Sequence, residues 1–351
     1  MSIITIVGAG MMGSAMSIPA SDNGNEVRLV GTPLDRKIID NARKNGYHIT
    51  LKRQLPQGIK YYQIEELDEA LLNCDLLIGG ISSFGIEWFG EVVLPKIPKS
   101  LPVLLVTKGL HAMEDGTLVP FPEYLATKPG CDNLSINAVG GPCTSYELAD
   151  RNNTVVAYCG RDTNILLKIK EMLSTDYYHI NISTDVTGIE TAVAMKNAYA
   201  LGVTLAVGLK EREHGIGCKE DYNPQAGLFL QGTREMYRLL KIVGGREDSI
   251  PYGVGDLYVT IFGGRTRKIG TLLGRGLTYK QALEELSGIT LESVAITKVA
   301  FNALKKLSER GKADINQFPL LSHIYDLINS NATVNIPWHL FEESEDLLRK
   351  I

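Results

Sequence analysis

The run Val7-Gly8-Ala9-Gly10-Met11-Met12-Gly13 forms a GxGxxG pattern directly behind an apolar stretch, Ile3–Val7. That spacing suits phosphate chemistry. The first glycine permits a tight turn, the second lets backbone approach a pyrophosphate, and the third lets the next helix pack on the strand. The free N–H groups and positive dipole end of that helix then face the anion. Gly8, Gly10, Met11, Met12 and Gly13 are therefore candidate cofactor contacts. A second strand follows and ends Val30-Gly31-Thr32-Pro33, which adds Thr32. NAD-specific proteins usually carry an acid at this strand end. Here the nearest is Asp35, with Arg36 and Lys37 beside it, so NADP is permitted and the choice between NAD and NADP stays open. Pro19 removes one bond from the expected helix and should kink it.

Acid–base chemistry is offered further along. Between Glu190 and Lys210 the only charge is Lys196. An ammonium among Ala, Val, Met and Leu loses hydration, which favours the neutral amine. Such a lysine can give a proton to a carbonyl oxygen during reduction and take it back during oxidation. Asn197 is a natural hydrogen-bond partner for the same substrate.

Three segments end strand-like runs, where ligands sit in doubly wound sheets. Gly79-Gly80-Ile81-Ser82-Ser83-Phe84 offers Ser82 and an aromatic, Phe84, to flank a cofactor. Thr107-Lys108-Gly109 sets Lys108 at a strand end, and Gly140-Gly141-Pro142-Cys143-Thr144-Ser145 brings Ser145 to a helix start. A last segment, Gly255-Asp256 through Thr260 to Gly263-Gly264-Arg265-Thr266-Arg267-Lys268, reads as an acid, a hydroxyl and a glycine-rich cationic turn. Arginine offers phosphate a planar fork, and glycines expose N–H groups to the same anion.

The elements that must position these groups change character along the chain. Strand patterns occur at Ile3–Val7, Val27–Val30, Leu76–Ile81, Val103–Thr107, Ser135–Val139 and Val155–Cys159, alternating with amphipathic segments that include an acidic one at Ile64–Asn73. Such alternation predicts a parallel sheet with crossover helices. From about Thr187 long helical patterns dominate: Thr187–Lys210, Ala226–Val243, Lys280–Leu286, Glu292–Arg310, Leu320–Asn329 and Pro337–Ile351. The expected division is an α/β dinucleotide-binding domain over 1–186 and an all-helical substrate domain over 187–351.

Composition narrows the partners. With 36 Lys+Arg against 40 Asp+Glu, the net charge of −4 and the lack of a long basic block argue against nucleic acid. The first residues carry no basic region of a signal peptide. Thr191–Leu209 is apolar enough to resemble a membrane span, but Lys196 and Asn197 interrupt it, so a buried helix is expected. Five scattered cysteines without CxxC spacing argue for a reducing compartment, and the six histidines show no ligand spacing, so no metal is expected.

The segments GAGMMGSA, TKG, GGPCTSYELA, TDVTGIETAVAMKN, GDLYVT, GGRTRKIG and LLGRG occur in the order and spacing of one family, over roughly Ile3 to Leu340. The chain thus resembles the NAD(P)-dependent glycerol-3-phosphate dehydrogenases. The resemblance implies a Rossmann-type N-terminal domain, an all-helical C-terminal domain, a homodimer and a cytoplasmic enzyme of glycerophospholipid metabolism. It also implies interconversion of dihydroxyacetone phosphate and sn-glycerol 3-phosphate with Lys196 as general acid/base. Lys108, Asn197, Asp256 and Thr260 would support the substrate, and Gly264, Arg265 and Thr266 would hold phosphate or cofactor. Ser145 and Glu292 would be cofactor contacts. Departures are Thr266 where the family commonly has Asn, Cys143 and Ser145 in the GPxxAxE turn, and Ser293 in place of a glycine after Glu292. They leave room for a longer polyol phosphate or a hydroxy acid, and a sensor without chemistry is the third reading.

Overall fold

The structure is a computed structural model and describes residues 1–286, 291–330 and 332–342. Eight strands build one sheet: β1 (Ile3–Val7), β2 (Glu26–Val30), β3 (Lys60–Tyr62), β4 (Leu76–Gly79), β5 (Val103–Leu105), β6 (Ile136–Gly140), β7 (Thr154–Cys159) and β8 (Tyr178–Ser183). Their order is β8-β7-β6-β5-β4-β1-β2-β3. Every neighbouring pair is parallel except β6 with β7. Both faces are covered, so the central strands are continuous apolar runs, as parallel strands buried on two sides require. Leu76 and Ile78 share a buried cluster with Ala15, Met16 and Ile18 of helix α1 (Met11–Asp22), whereas Leu77 belongs with Phe89 and Val93 on the opposite face. Helix α1 continues through Pro19, which sits in its final turn.

Helices α2 (Arg36–Asn45) and α3 (Thr163–Leu173) complete the α/β part. Thereafter the described elements are helical: α4 (Val186–His214), α5 (Tyr222–Val243), α6 (Ile250–Ile261), α7 (Gly264–Gly274), α8 (Tyr279–Glu285), α9 (Glu292–Glu309) and α10 (Pro319–Ser330). Contacts group the chain into two compact units. The first comprises Met1–His111, Val119–Val193 and Pro251–Asp256; the second comprises Ala112–Leu118, Ala194–Ile250 and Leu257–Ile351.

Four features depart from the pattern expected of the sequence. Strands β3 and β8 lie at the two edges, where exposed polar residues such as Lys60, His179 and Asn181 weaken the apolar signal. The β6–β7 pair is antiparallel. The helix expected over Pro337–Ile351 appears as a short turn at Trp338–Phe341, and residues from 343 onward lie outside the described residues. The largest correction concerns the glycine-rich segments at 250–274, which form two helices rather than an extended turn. Glycine lowers helix propensity by about 1 kcal/mol per residue, so the sequence signal there is poor. Tertiary packing explains the glycines. A Cβ on Gly270 would lie 2.0 Å from Thr204 Oγ1, and one on Gly274 would lie 2.3 Å from the Leu205 carbonyl, so α7 crosses α4 at backbone contact.

Among the described residues one helix, α4, is long and apolar enough to cross a membrane, and 83% of its apolar window is buried inside the protein. That burial marks a core helix.

Candidate active site

The glycine loop shows why each of its residues must be small. Gly8 has φ +109°, and a Cβ there would lie 2.6 Å from the Gly80 backbone. A Cβ on Gly13 would lie 2.1 Å from the Gly8 carbonyl, so helix and strand touch at backbone distance. Gly10 differs. It is the N-cap of α1 with an ordinary φ of −67°, and a Cβ there would meet only the Gly80 carbonyl at 4.0 Å. The protein leaves space beside Gly10 that its own packing does not use. Helix α1 has no side-chain cap and no acid in its first turn, and the first N–H groups of a helix have no intrahelical acceptor. A pyrophosphate fits that donor set. Ala in place of Gly10 is therefore expected to leave the melting temperature unchanged and to raise the cofactor KM about ten-fold or more; cofactor titration beside a thermal melt checks both.

This loop is held by Asp35, read in the sequence only as the acid nearest the strand end, and by His48, which was not singled out there. The Asp35 carboxylate oxygen Oδ2 accepts the Ala9 N–H at 3.1 Å, the Thr32 N–H at 2.9 Å and the Thr32 hydroxyl at 2.7 Å. The acid missing at the strand end is thus supplied from the start of α2 and is committed to the loop. His48, fully buried, lies with Nε2 2.8 Å from the Ala9 carbonyl, and its Nδ1 accepts the Leu51 N–H at 2.8 Å. Neither had a periodic or motif signal, since both depend on where Ala9 arrives.

At the end of β5, Lys108 donates to the Asp256 carboxylate and to the Gly141 carbonyl, the latter at 2.9 Å. Asp256 is completely buried and the Lys108 side chain is 12% exposed. Gly141 follows β6, and a Cβ on neighbouring Gly140 would lie 2.4 Å from Ile189, so the first turns of α4 press directly on this strand end. Glu190 lies in those turns, and its carboxylate is completely buried. Burial pushes its carboxyl up to about 8, against the attraction of Lys108 and the Gly109 N–H and with added repulsion from Asp256.

Within the second unit, Lys196 and Asn197 are half-buried, while Ala194, Met195 and the residues from Ala198 to Gly208 are buried. The polar pair thus opens an otherwise closed helix. Thr260 stands near the end of α6, and Gly264, Arg265 and Thr266 form the first turn of α7. Gly264 has φ +76° with open space around it, Arg265 is exposed and Thr266 is buried. Arg267 is bound to Glu220 and to the Ile261 carbonyl, and Arg275 to Glu211. Of the cationic run, Arg265 at the uncapped helix start is the arginine best presented to an anion.

Elsewhere, Ser82 precedes a short turn at Ser83–Gly85 and Phe84 is 61% exposed beside it. Ser145 opens the short helix Ser145–Ala149 and is buried. Glu292 is the first residue of α9 and half-buried. Among the described residues, no group of three or more His, Cys, Asp or Glu side chains could hold a metal ion.

Models of the NAD-dependent glycerol-3-phosphate dehydrogenase N-terminus and C-terminus match residues 3–165 and 185–338. The NADP(+)-dependent glycerol-3-phosphate dehydrogenase of Archaeoglobus fulgidus is 32% identical over 95% of this chain and 96% of its own. The chain belongs to the glycerol-3-phosphate dehydrogenase family. A glycerol-3-phosphate dehydrogenase [NAD(P)+] of Lactococcus lactis is 29% identical over 93% of this chain and 91% of its own. The fold is shared with the glycerol-3-phosphate dehydrogenase of Coxiella burnetii, at a TM-score of 0.79 and 23% identity over 98% of both chains.

Beside the Lys108–Asp256 pair, Glu190 is a buried acid that holds its proton near neutrality. An unperturbed glutamate ionises at 4.5, so between that pH and about 8 the folded protein keeps a proton that the unfolded chain has lost. Stability therefore falls as pH rises through this window. Glu190→Gln removes that proton, and its stability curve is expected to be flatter than that of the parent over the same range. Urea melts at several pH values check it, and parallel curves would refute it.

Proposed function

We propose that this chain interconverts dihydroxyacetone phosphate and sn-glycerol 3-phosphate with NAD(P)H, as the names of its relatives indicate for them. The observation that carries the reading is the buried Lys108–Asp256 pair at the end of β5, in the same unit as the glycine cradle. A lysine fixed by a buried carboxylate and a carbonyl is costly for a fold to keep and suits polarisation of a substrate.

A nicotinamide cofactor would supply the hydride when bound. Gly8, Gly10, Met11, Met12 and Gly13 would hold its pyrophosphate, with Thr32, Ser82, Phe84, Ser145 and Glu292 as further cofactor contacts. Lys196 protonates the alkoxide as the ketone is reduced, and it takes the proton back in the reverse direction. Lys108 and Asp256 set the electrostatics of the ketone, and Asn197 and Thr260 orient its hydroxyls. Gly264, Arg265 and Thr266 hold the phosphate. We also propose a division of labour between a dinucleotide-binding part, 1–186, and a substrate part, 187–351. None of the five cysteines is joined in a disulfide, in keeping with an enzyme of the reducing cytoplasm. The homodimer is tested by light scattering.

The deciding experiment is the initial rate of NADH and NADPH oxidation across a panel of phosphorylated ketoses. Preference for dihydroxyacetone phosphate supports the proposal. Preference for a longer polyol phosphate moves the substrate, and absence of turnover with every ketose refutes it.

A further inference from the structure

We propose that His48 is a positioning residue for the dinucleotide cradle, holding the Ala9 carbonyl so that the loop keeps Gly10 open to the pyrophosphate. The inference rests on the reading that this loop binds a dinucleotide. Ala9 lies between Gly8 and Gly10, and both its polar groups are held by side chains from later in the chain. Asp35 Oδ2 accepts its N–H at 3.1 Å, and His48 Nε2 lies 2.8 Å from its carbonyl. The tautomer follows from the geometry. Nδ1 accepts the Leu51 N–H at 2.8 Å, so the ring proton is on Nε2 and donates to Ala9. His48 reaches the loop from a two-residue hairpin, Tyr47–His48 with Arg53–Gln54, and is completely buried.

This arrangement tolerates only neutral imidazole. A second ring proton would face the Leu51 N–H, donor against donor, and would open the turn from His48 to Leu51 that aims the ring at Ala9. Burial is the strongest influence and holds His48 below the ordinary histidine value. The Ala9 carbonyl and the charge of Asp35, at the start of α2, favour imidazolium but are outweighed. The neutral ring therefore persists at neutral pH and is lost on the acid side, where cofactor affinity should fall with it.

The test is fluorescence titration of NADH and NADPH into the full chain and into His48→Gln and His48→Ala, with KM and kcat for each. His48→Ala should weaken NADH binding about ten-fold or more, raising KM while kcat at saturating NADH holds. Gln can donate from its amide to the Ala9 carbonyl, so His48→Gln should recover most of that affinity. On the acid side of the ordinary histidine value of 6.5 the parent should lose affinity and His48→Gln should not. Equal NADH affinity in parent and His48→Ala, or the same acid loss in His48→Gln as in the parent, overturns the proposal. Should His48→Ala not fold, the pH profile of His48→Gln decides by itself. A parent that binds neither NADH nor NADPH refutes the dinucleotide reading, whereas a parent that binds with unaltered variants refutes only the role of His48.

Discussion

Lys196→Met is expected to lower kcat by about 10²–10⁴-fold, the usual contribution of a positioned acid or base, while NAD(P)H binding stays intact. Methionine matches the lysine stem in volume and keeps helix propensity, so α4 should persist. The location supports a chemical role. Ala194 and Met195 before Lys196 and the residues from Ala198 to Gly208 after Asn197 are all buried, and only this pair is half-buried. A lysine serving helix solubility would sit among other polar residues, as Lys210 and Arg212 do at the end of α4. Steady-state rates with dihydroxyacetone phosphate, beside a cofactor titration, make the measurement. Unchanged turnover would remove Lys196 from the mechanism.

The second large effect is on stability. Lys108→Met leaves the Asp256 carboxylate, completely buried, without its lysine. Breaking a buried ion pair from one side costs about 3–5 kcal/mol, because the remaining charge was desolvated on its partner's account. Asp256→Asn should cost less, since Lys108 keeps the Gly141 carbonyl and its 12% exposure to water. Lys108→Met combined with Asp256→Leu removes both charges and should regain much of the loss, because a buried pair replaced by apolar residues is often neutral in stability. Activity should not return with it. Urea melts of the two single variants and the double variant test the argument as a cycle. A double variant no more stable than Lys108→Met alone would contradict the pair as described.

Both variants concern residues that the sequence by itself singles out. Gly8, Gly10 and Gly13 were legible because a strand, a tight turn and a helix start impose their spacing within seven residues. Lys196 was legible as a lone charge in an apolar helix, and Lys108 as a cation at a strand end. The central strands were legible because burial on both faces makes them continuously apolar. The edge strands β3 and β8, half exposed, lack that signal. Helices α6 and α7 were hidden by their own glycines, whose purpose is a backbone contact with α4 that no local pattern encodes.

The remaining site features depend on distance along the chain. Lys108 and Asp256 are 148 positions apart, and no spacing rule joins them. Asp35 was read only for its bearing on the cofactor ribose and His48 was not read at all, yet they hold the two polar groups of Ala9 from 26 and 39 positions away. Glu190 read as the last acid before an apolar run, and only the closing of α4 on Gly140 buries it. By itself, the sequence determined the glycine loop between strand and helix, the order of an α/β part before a helical part, and the lone lysine in an apolar helix, since each follows from local spacing and hydration. Tertiary structure decided which charges are paired, which acid keeps its proton and what holds the loop. Those properties depend on solvent removed by packing between distant segments, and a one-dimensional pattern carries no measure of it.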